Sequence, residues 1–176
     1  MQNNTLYLRF PTREVNIGGV PLGGANPVRV QSMTNTDTLD VKGTIAQTIR
    51  MIEAGCEYVR IAVPFLREVE SLKVIRNTLR KEGFQTPLIA DVHFNAAIAE
   101  EAARIVEKVR INPGNYTPSL NNKAGTLGMN NADALEQISD RLRPLLKICK
   151  TYGTAIRIGV NHGSLSARIM EKYGDT

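Results

Sequence analysis

Apolar residues along this chain recur at two alternating spacings. Short runs rich in β-branched residues occur at VRVQSM (28–33), YVRIAV (58–63), PLIADV (87–92), KVRINP (108–113) and AIRIGVN (155–161). Each run reads as a strand. Between them, apolar residues fall three and four apart. KGTIAQTIRMIEAG (42–55) carries Ile45, Ile49 and Ile52 and stops at Gly55, while LREVESLKVIRNTLRKEG (66–83) carries Val69, Leu72, Ile75 and Leu79. AAIAEEAARIVE (96–107) follows Asn95, a suitable N-cap, and ADALEQISDRLRPLLKICKTYG (132–153) is helical with a bend or break expected at Pro144. SLSARIMEKYG (164–174) opens a last helix with Ser164 as its cap.

Five strand–helix units without hairpin signals between them predict parallel strands joined by helical crossovers. Parallel strands are covered on both faces, which accounts for their nearly continuous apolar character. A doubly wound sheet and a (β/α)₈ barrel both fit this rhythm. No G-x-G-x-x-G follows the first strand, which lowers the doubly wound alternative. A full barrel needs eight units and roughly 250 residues, so 176 residues predict a partial TIM barrel of about five βα units. The glycine-rich runs within residues 17–24 predict a short N-terminal hairpin rather than a phosphate loop. The polar stretch YTPSLNNKAGTLGMNN (116–131) follows the end of a strand, and a lid near the barrel mouth is the expectation there.

Three of the five strands carry an arginine in an equivalent place: Arg60, Arg110 and Arg157. A side chain on a barrel strand points into the lumen or toward the helices, and neither is water. Each arginine therefore has a carboxylate partner, leaves the strand for solvent through a bulge, or faces a ligand, because an unpaired buried charge costs several kcal/mol in order of magnitude. Asp91 is the only carboxylate in an equivalent position on these strands. Three guanidiniums against one carboxylate leave positive charge in a confined place, at the strand ends where barrel sites are built. A phosphate or diphosphate would relieve it and matches the planar fork of arginine. Gln31, Ser32, His93, Asn112 and Asn161 are polar groups at or just past strand ends, able to orient such a ligand. The NPGN turn (112–115) offers backbone N–H groups that could cradle an anion.

Composition narrows the class. Hydrophobic residues make up 42% and charged residues 22%, as in a globular domain with a sizeable core. The net charge of +5 is spread over helix faces, and aromatics are only 5% with no Trp, which disfavours nucleic acid. No apolar run is long enough to span a bilayer and the first residues do not read as a signal peptide, so a cytoplasmic location is expected. Cys56 and Cys149 are neither a disulfide framework nor a metal site by spacing.

The segments PVRVQSMTNTDTLDVKGTIAQ, AGCEYVRIAVP, PLIADVHF, KVRINPGN and IRIGVNHGSL, in this order, resemble the 4-hydroxy-3-methylbut-2-enyl diphosphate synthase (IspG/GcpE) family. The ending NHGSLSARIMEKYGDT and the long polar stretch after NPGN resemble the larger, three-domain form. The resemblance implies an oxidoreductase of isoprenoid biosynthesis. It would open 2-C-methyl-D-erythritol 2,4-cyclodiphosphate reductively, with electrons from ferredoxin or flavodoxin through a [4Fe–4S] cluster. It also implies that Arg60, Arg110 and Arg157 hold the diphosphate with help from Asn112 and Asn161. Asp91 and His93 would then orient the carbon skeleton. On this reading residues 1–176 are the N-terminal part of the TIM-barrel substrate-binding domain, and the insert domain and C-terminal iron–sulfur domain are absent. Such a chain is expected to be inactive alone, to hold no cluster, and to expose sheet edges that invite a homodimer. A dihydropteroate-synthase-like pterin binder and a non-catalytic anion-binding module are the alternatives.

Overall fold

The computed structural model describes residues 10–93, 95–112 and 131–161, together with Leu165, Met170, Tyr173 and Gly174. It opens with an antiparallel hairpin of β1 (Val15–Ile17) and β2 (Val20–Leu22), in which Ile17 pairs with Val20. The two connecting residues, Gly18 and Gly19, both have positive φ (56° and 88°), as a type I′ turn requires. Asn16 Oδ1 accepts from the Gly19 N–H at 2.9 Å and locks the turn.

Five parallel strands follow in one sheet in the order of the chain: β3 (Gln31–Met33), β4 (Tyr58–Ala62), β5 (Leu88–Asp91), β6 (Lys108–Ile111) and β7 (Ala155–Ile158). The helices are α1 (Val41–Glu53), α2 (Leu66–Lys81), α3 (Ala96–Ala102) and α4 (Asn131–Tyr152). A doubly wound sheet reverses its strand order where the winding changes direction, and this one does not. One face of the sheet, with Val59, Ile61, Leu88, Ala90, Val109 and Ile111, packs on the helices through Leu72, Ile75, Leu79, Ile98, Ala102 and Leu145. The sheet is a sector of an α/β barrel, as the strand–helix rhythm predicts.

The other face is the inner one. Tyr58 and Arg60, Ile89 and Asp91, Lys108 and Arg110, and Ala155 and Arg157 stand two residues apart on their strands, so each pair shares this face. At its lower end Ile17 packs against Tyr58 and Ile89, with Val20, Leu22 and Ala155 around them. Tyr58 Oη donates to the Val20 carbonyl at 2.9 Å, and Arg29 Nε donates to the Pro21 carbonyl at 2.8 Å. The hairpin thus seals the floor of the sheet beneath the strand-end residues.

Several boundaries differ from the sequence reading. The first strand pairs only from Gln31, because Val30 N donates to the Glu57 carboxylate and Glu57 in turn pairs with Arg29 at 2.6 Å. The third helix ends at Ala102 rather than 107. The chain turns there, and the Thr154 hydroxyl donates to the Ala103 carbonyl at 2.6 Å, taking the place of a continuing helical bond. Pro144 does not break α4, which runs through it as one helix; Pro144 is exposed, and so is Asp140, the residue whose carbonyl loses its helical donor. The last strand stops at Ile158, one ladder-like bond continuing from Gly159 N to Ile111 O at 2.8 Å. The lid expected over 116–131, except for Asn131, the 113–115 part of the NPGN turn and nearly all of the helix expected at 164–174 lie outside the described residues.

Candidate functional site

Asp91 is the centre of the inner face. It closes β5, is 1% exposed, and receives two guanidiniums from neighbouring strands. Arg60 Nη2 donates to Oδ2 in a close ion pair, and Arg110 Nη1 donates to Oδ1 at 3.2 Å. His93, two residues along the chain, places Nε2 3.0 Å from Oδ2. Arg110 Nη1 also reaches His93 Nδ1 at 2.9 Å. The same Nη1 stands 3.0 Å from Nε2, so the guanidinium faces the ring edge between the two nitrogens. The ring thus touches both the Arg110 guanidinium and the Asp91 carboxylate, and its side chain remains 40% exposed.

Burial alone would raise the Asp91 carboxyl, but the hydrogen bonds from Arg60 and His93 outweigh it and hold the group below the ordinary carboxylate value. Asp91 is therefore an anion at neutral pH. Arg110 is 7% exposed and is fixed from a further side, its Nη2 donating to the Gly159 carbonyl at 2.9 Å. A side chain at 159 would collide with that guanidinium, since a Cβ there would stand 2.9 Å from Cζ and closer still to Nε. Gly159 is small because Arg110 lies against it.

The remaining predicted residues divide. Arg157 is opposite Arg110 in the β6–β7 register and shares its face, but it is exposed and has no carboxylate within ion-pair distance among the described residues. Arg157 and Gln31 line a cavity of about 360 Å³ between the sheet and the hairpin. Ser32 does not join them: it pairs in register with Val59, a core residue, and so faces the helices. Asn112 is buried directly after β6, and Asn161 is exposed just past β7.

Sequence reading missed one inner-face cation, Lys108. It is 6% exposed, lines the same cavity, and has its ammonium 5.7 Å from the centroid of the Tyr58 ring. The signal was available, because Lys108 precedes Arg110 by two residues on one strand. Burial, then the charges of Arg157 and Arg60, hold its ammonium below the ordinary lysine value. Among the described residues the inner face thus sets Arg60, Arg110, Arg157 and Lys108 against Asp91 alone, Arg29 being committed to Glu57.

Comparison with known proteins agrees with this picture. A 4-hydroxy-3-methylbut-2-en-1-yl diphosphate synthase (flavodoxin) of Bacteroides thetaiotaomicron is 52% identical over 97% of this chain, and that of Phocaeicola vulgatus is 54% identical over the same share. The chain spans about 28% of the length of these curated relatives. Among solved structures, 7,8-dihydropteroate synthase from Vibrio fischeri is similar at a TM-score of 0.49 and 15% identity, covering 92% of this chain and 73% of that one; a likeness this distant carries no functional argument. The sequence model of the GcpE TIM-barrel domain matches residues 12–176. With a five-stranded parallel sector, its helices on one face and a cationic inner face, this chain belongs to the GcpE TIM-barrel domain family.

Proposed function

We propose that this chain supplies part of the diphosphate-binding barrel of a 4-hydroxy-3-methylbut-2-enyl diphosphate synthase, the enzyme that opens 2-C-methyl-D-erythritol 2,4-cyclodiphosphate in isoprenoid biosynthesis. The observation that carries this reading is the charge balance of the inner face. Asp91 is shared by Arg60 and Arg110, which leaves Arg157 without a carboxylate among the described residues. A diphosphate supplies several negative oxygens to such a face, and guanidinium forks bind them in bidentate fashion.

In this reading Arg157 and the outer edges of Arg60 and Arg110 hold the phosphates. Asp91 keeps both arginines aimed inward, and His93 presents its exposed ring edge to the hydroxylated carbon skeleton. Asn112 and Asn161 add neutral hydrogen bonds at the strand ends, and Gln31 adds one from the cavity below.

The reaction takes up two electrons with loss of water, and a [4Fe–4S] cluster fed by ferredoxin or flavodoxin supplies them in this family. The described residues do not fit such a cluster. None of them forms a group of three or more His, Cys, Asp or Glu able to hold a metal ion. Burial pushes the Cys149 thiol up to about 11, away from the thiolate a cluster requires. Cys56 lies at the foot of β4, at the opposite end of the sheet from Asp91. No electron step is assigned to these residues.

Titration calorimetry of the chain with the cyclodiphosphate tests the reading. Binding at low ionic strength, lost in Arg157→Ala without a change in melting temperature, is the expected result. Absence of heat at millimolar ligand would overturn it.

A further inference from the structure

Lys108 is a buried cation that the described site leaves unused. We propose that Lys108 is an additional anion-binding residue at the floor of the site, contacting the phosphoryl group that enters the cavity most deeply. The inference rests on the diphosphate reading above and extends it to a residue beneath the strand ends.

Three observations support it. Lys108 is 6% exposed and lines the cavity of about 360 Å³ together with Arg157, Gln31 and Tyr58. No carboxylate lies within ion-pair distance of its ammonium among the described residues, and Arg29, which lines the same cavity, has its own partner in Glu57. Its position, two residues before Arg110 on β6, puts both side chains on one face, so a ligand gripped by Arg110 and Arg157 has Lys108 below it.

A buried ammonium without an anion is costly, and an apolar side chain of similar length would fill the same space without that cost. The Tyr58 ring offsets only part of it, since a cation over an aromatic face contributes about 0.5–2 kcal/mol. The charge is accounted for when an anion occupies the cavity. Phosphate, with oxygens on all sides, fits a site whose donors approach from β6 and β7 and from Gln31 on β3.

Inorganic diphosphate is the probe, titrated calorimetrically at low ionic strength into the chain and four variants. Lys108→Met should weaken binding by about tenfold or more, while Lys108→Arg stays within about threefold of the parent. Lys73→Met removes the same charge from an exposed position on α2 and should leave the affinity within about twofold. Arg157→Ala should abolish binding. If Lys108→Met binds as tightly as the parent while Arg157→Ala does not, the floor contact is wrong and the diphosphate reading survives. If Lys73→Met weakens binding as much as Lys108→Met, the effect is net charge and the floor contact is again wrong. If the parent chain itself does not bind diphosphate, both fall. Lys108→Gln serves in place of the Met variant should the latter not fold.

Discussion

Arg110 and Gly159 hold each other in place: the guanidinium donates to the Gly159 carbonyl at 2.9 Å, and the space where a Cβ would stand is filled by the same guanidinium. Gly159 has no left-handed backbone, so the substitution Gly159→Ala tests this contact and not chain strain. It should destabilise the protein by about 1–3 kcal/mol, the usual range for overpacking a tight site. It should also weaken diphosphate binding by displacing Arg110. Urea denaturation of Gly159→Ala, Arg110→Ala and the double variant should show strong non-additivity. Additive losses would mean that the two residues act separately.

Asp91→Asn leaves the guanidiniums of Arg60 and Arg110 without their shared anion. Removing one member of a buried ion pair costs about 3–5 kcal/mol, and a loss of that size is expected at pH 7. The carboxyl is held below its ordinary value in the folded chain, so its stabilisation is complete above roughly pH 4–5 and is lost as pH falls through the folded value. The gap between parent and Asp91→Asn should therefore narrow on acidification below about pH 4. Equal pH profiles for the two proteins would contradict the pairing.

Lys108 has the opposite dependence. Its folded ammonium is below the ordinary lysine value, so folding works against the bound proton. That penalty is full below the folded value and disappears as pH rises toward about 10.4, where the unfolded chain also loses the proton. Lys108→Met in the ligand-free chain should gain about 1 kcal/mol or more at pH 7, and the gain should shrink by pH 10. Denaturation midpoints across that range give the measurement, and a gain independent of pH would show that packing, not charge, sets it.

Thr154→Val tests the end of α3. The hydroxyl donates to the Ala103 carbonyl at 2.6 Å from a residue at the foot of β7. Valine keeps the shape and removes the donor, at an expected cost of about 1 kcal/mol. Faster amide exchange at Ala103 and Val106 should accompany it, since both donate to helix carbonyls in that turn. Unchanged exchange there would show that the turn holds without Thr154.

The sequence made the strand–helix rhythm legible because each element carries its own period. Leu72, Ile75 and Leu79 are all buried on the helix face that their spacing predicts. Strand direction was legible too, since Arg60, Asp91 and Arg110 meet across three strands. Partnering was not. Counting carboxylates showed a shortage, but only the stagger between strands shows that Asp91 serves two arginines while Arg157 has none among the described residues. Ser32 reads as one of the polar strand ends, yet alternation from Gln31 turns it toward the helices. A lysine at the start of a strand resembles a surface residue, and only the assembled fold shows that Lys108 is buried and lines the cavity facing the hairpin. The shortening of α3 rests on Thr154, about fifty residues away in sequence, and no local pattern contains it.

The N-terminal hairpin has a consequence for the order of folding. It is the earliest described strand pair to leave the ribosome, yet its partners are Tyr58, Ile89 and Ala155. Gly18 also sits against Glu107, where any added side chain would meet the glutamate Cγ at 2.6 Å. Its docking therefore waits until most of this chain has been synthesised, and contacts this distant in sequence form slowly. A hairpin made before its partners is seated late, so a nascent chain stalled before β5 would carry Ile17 without Ile89 against it and open to capture by a chaperone.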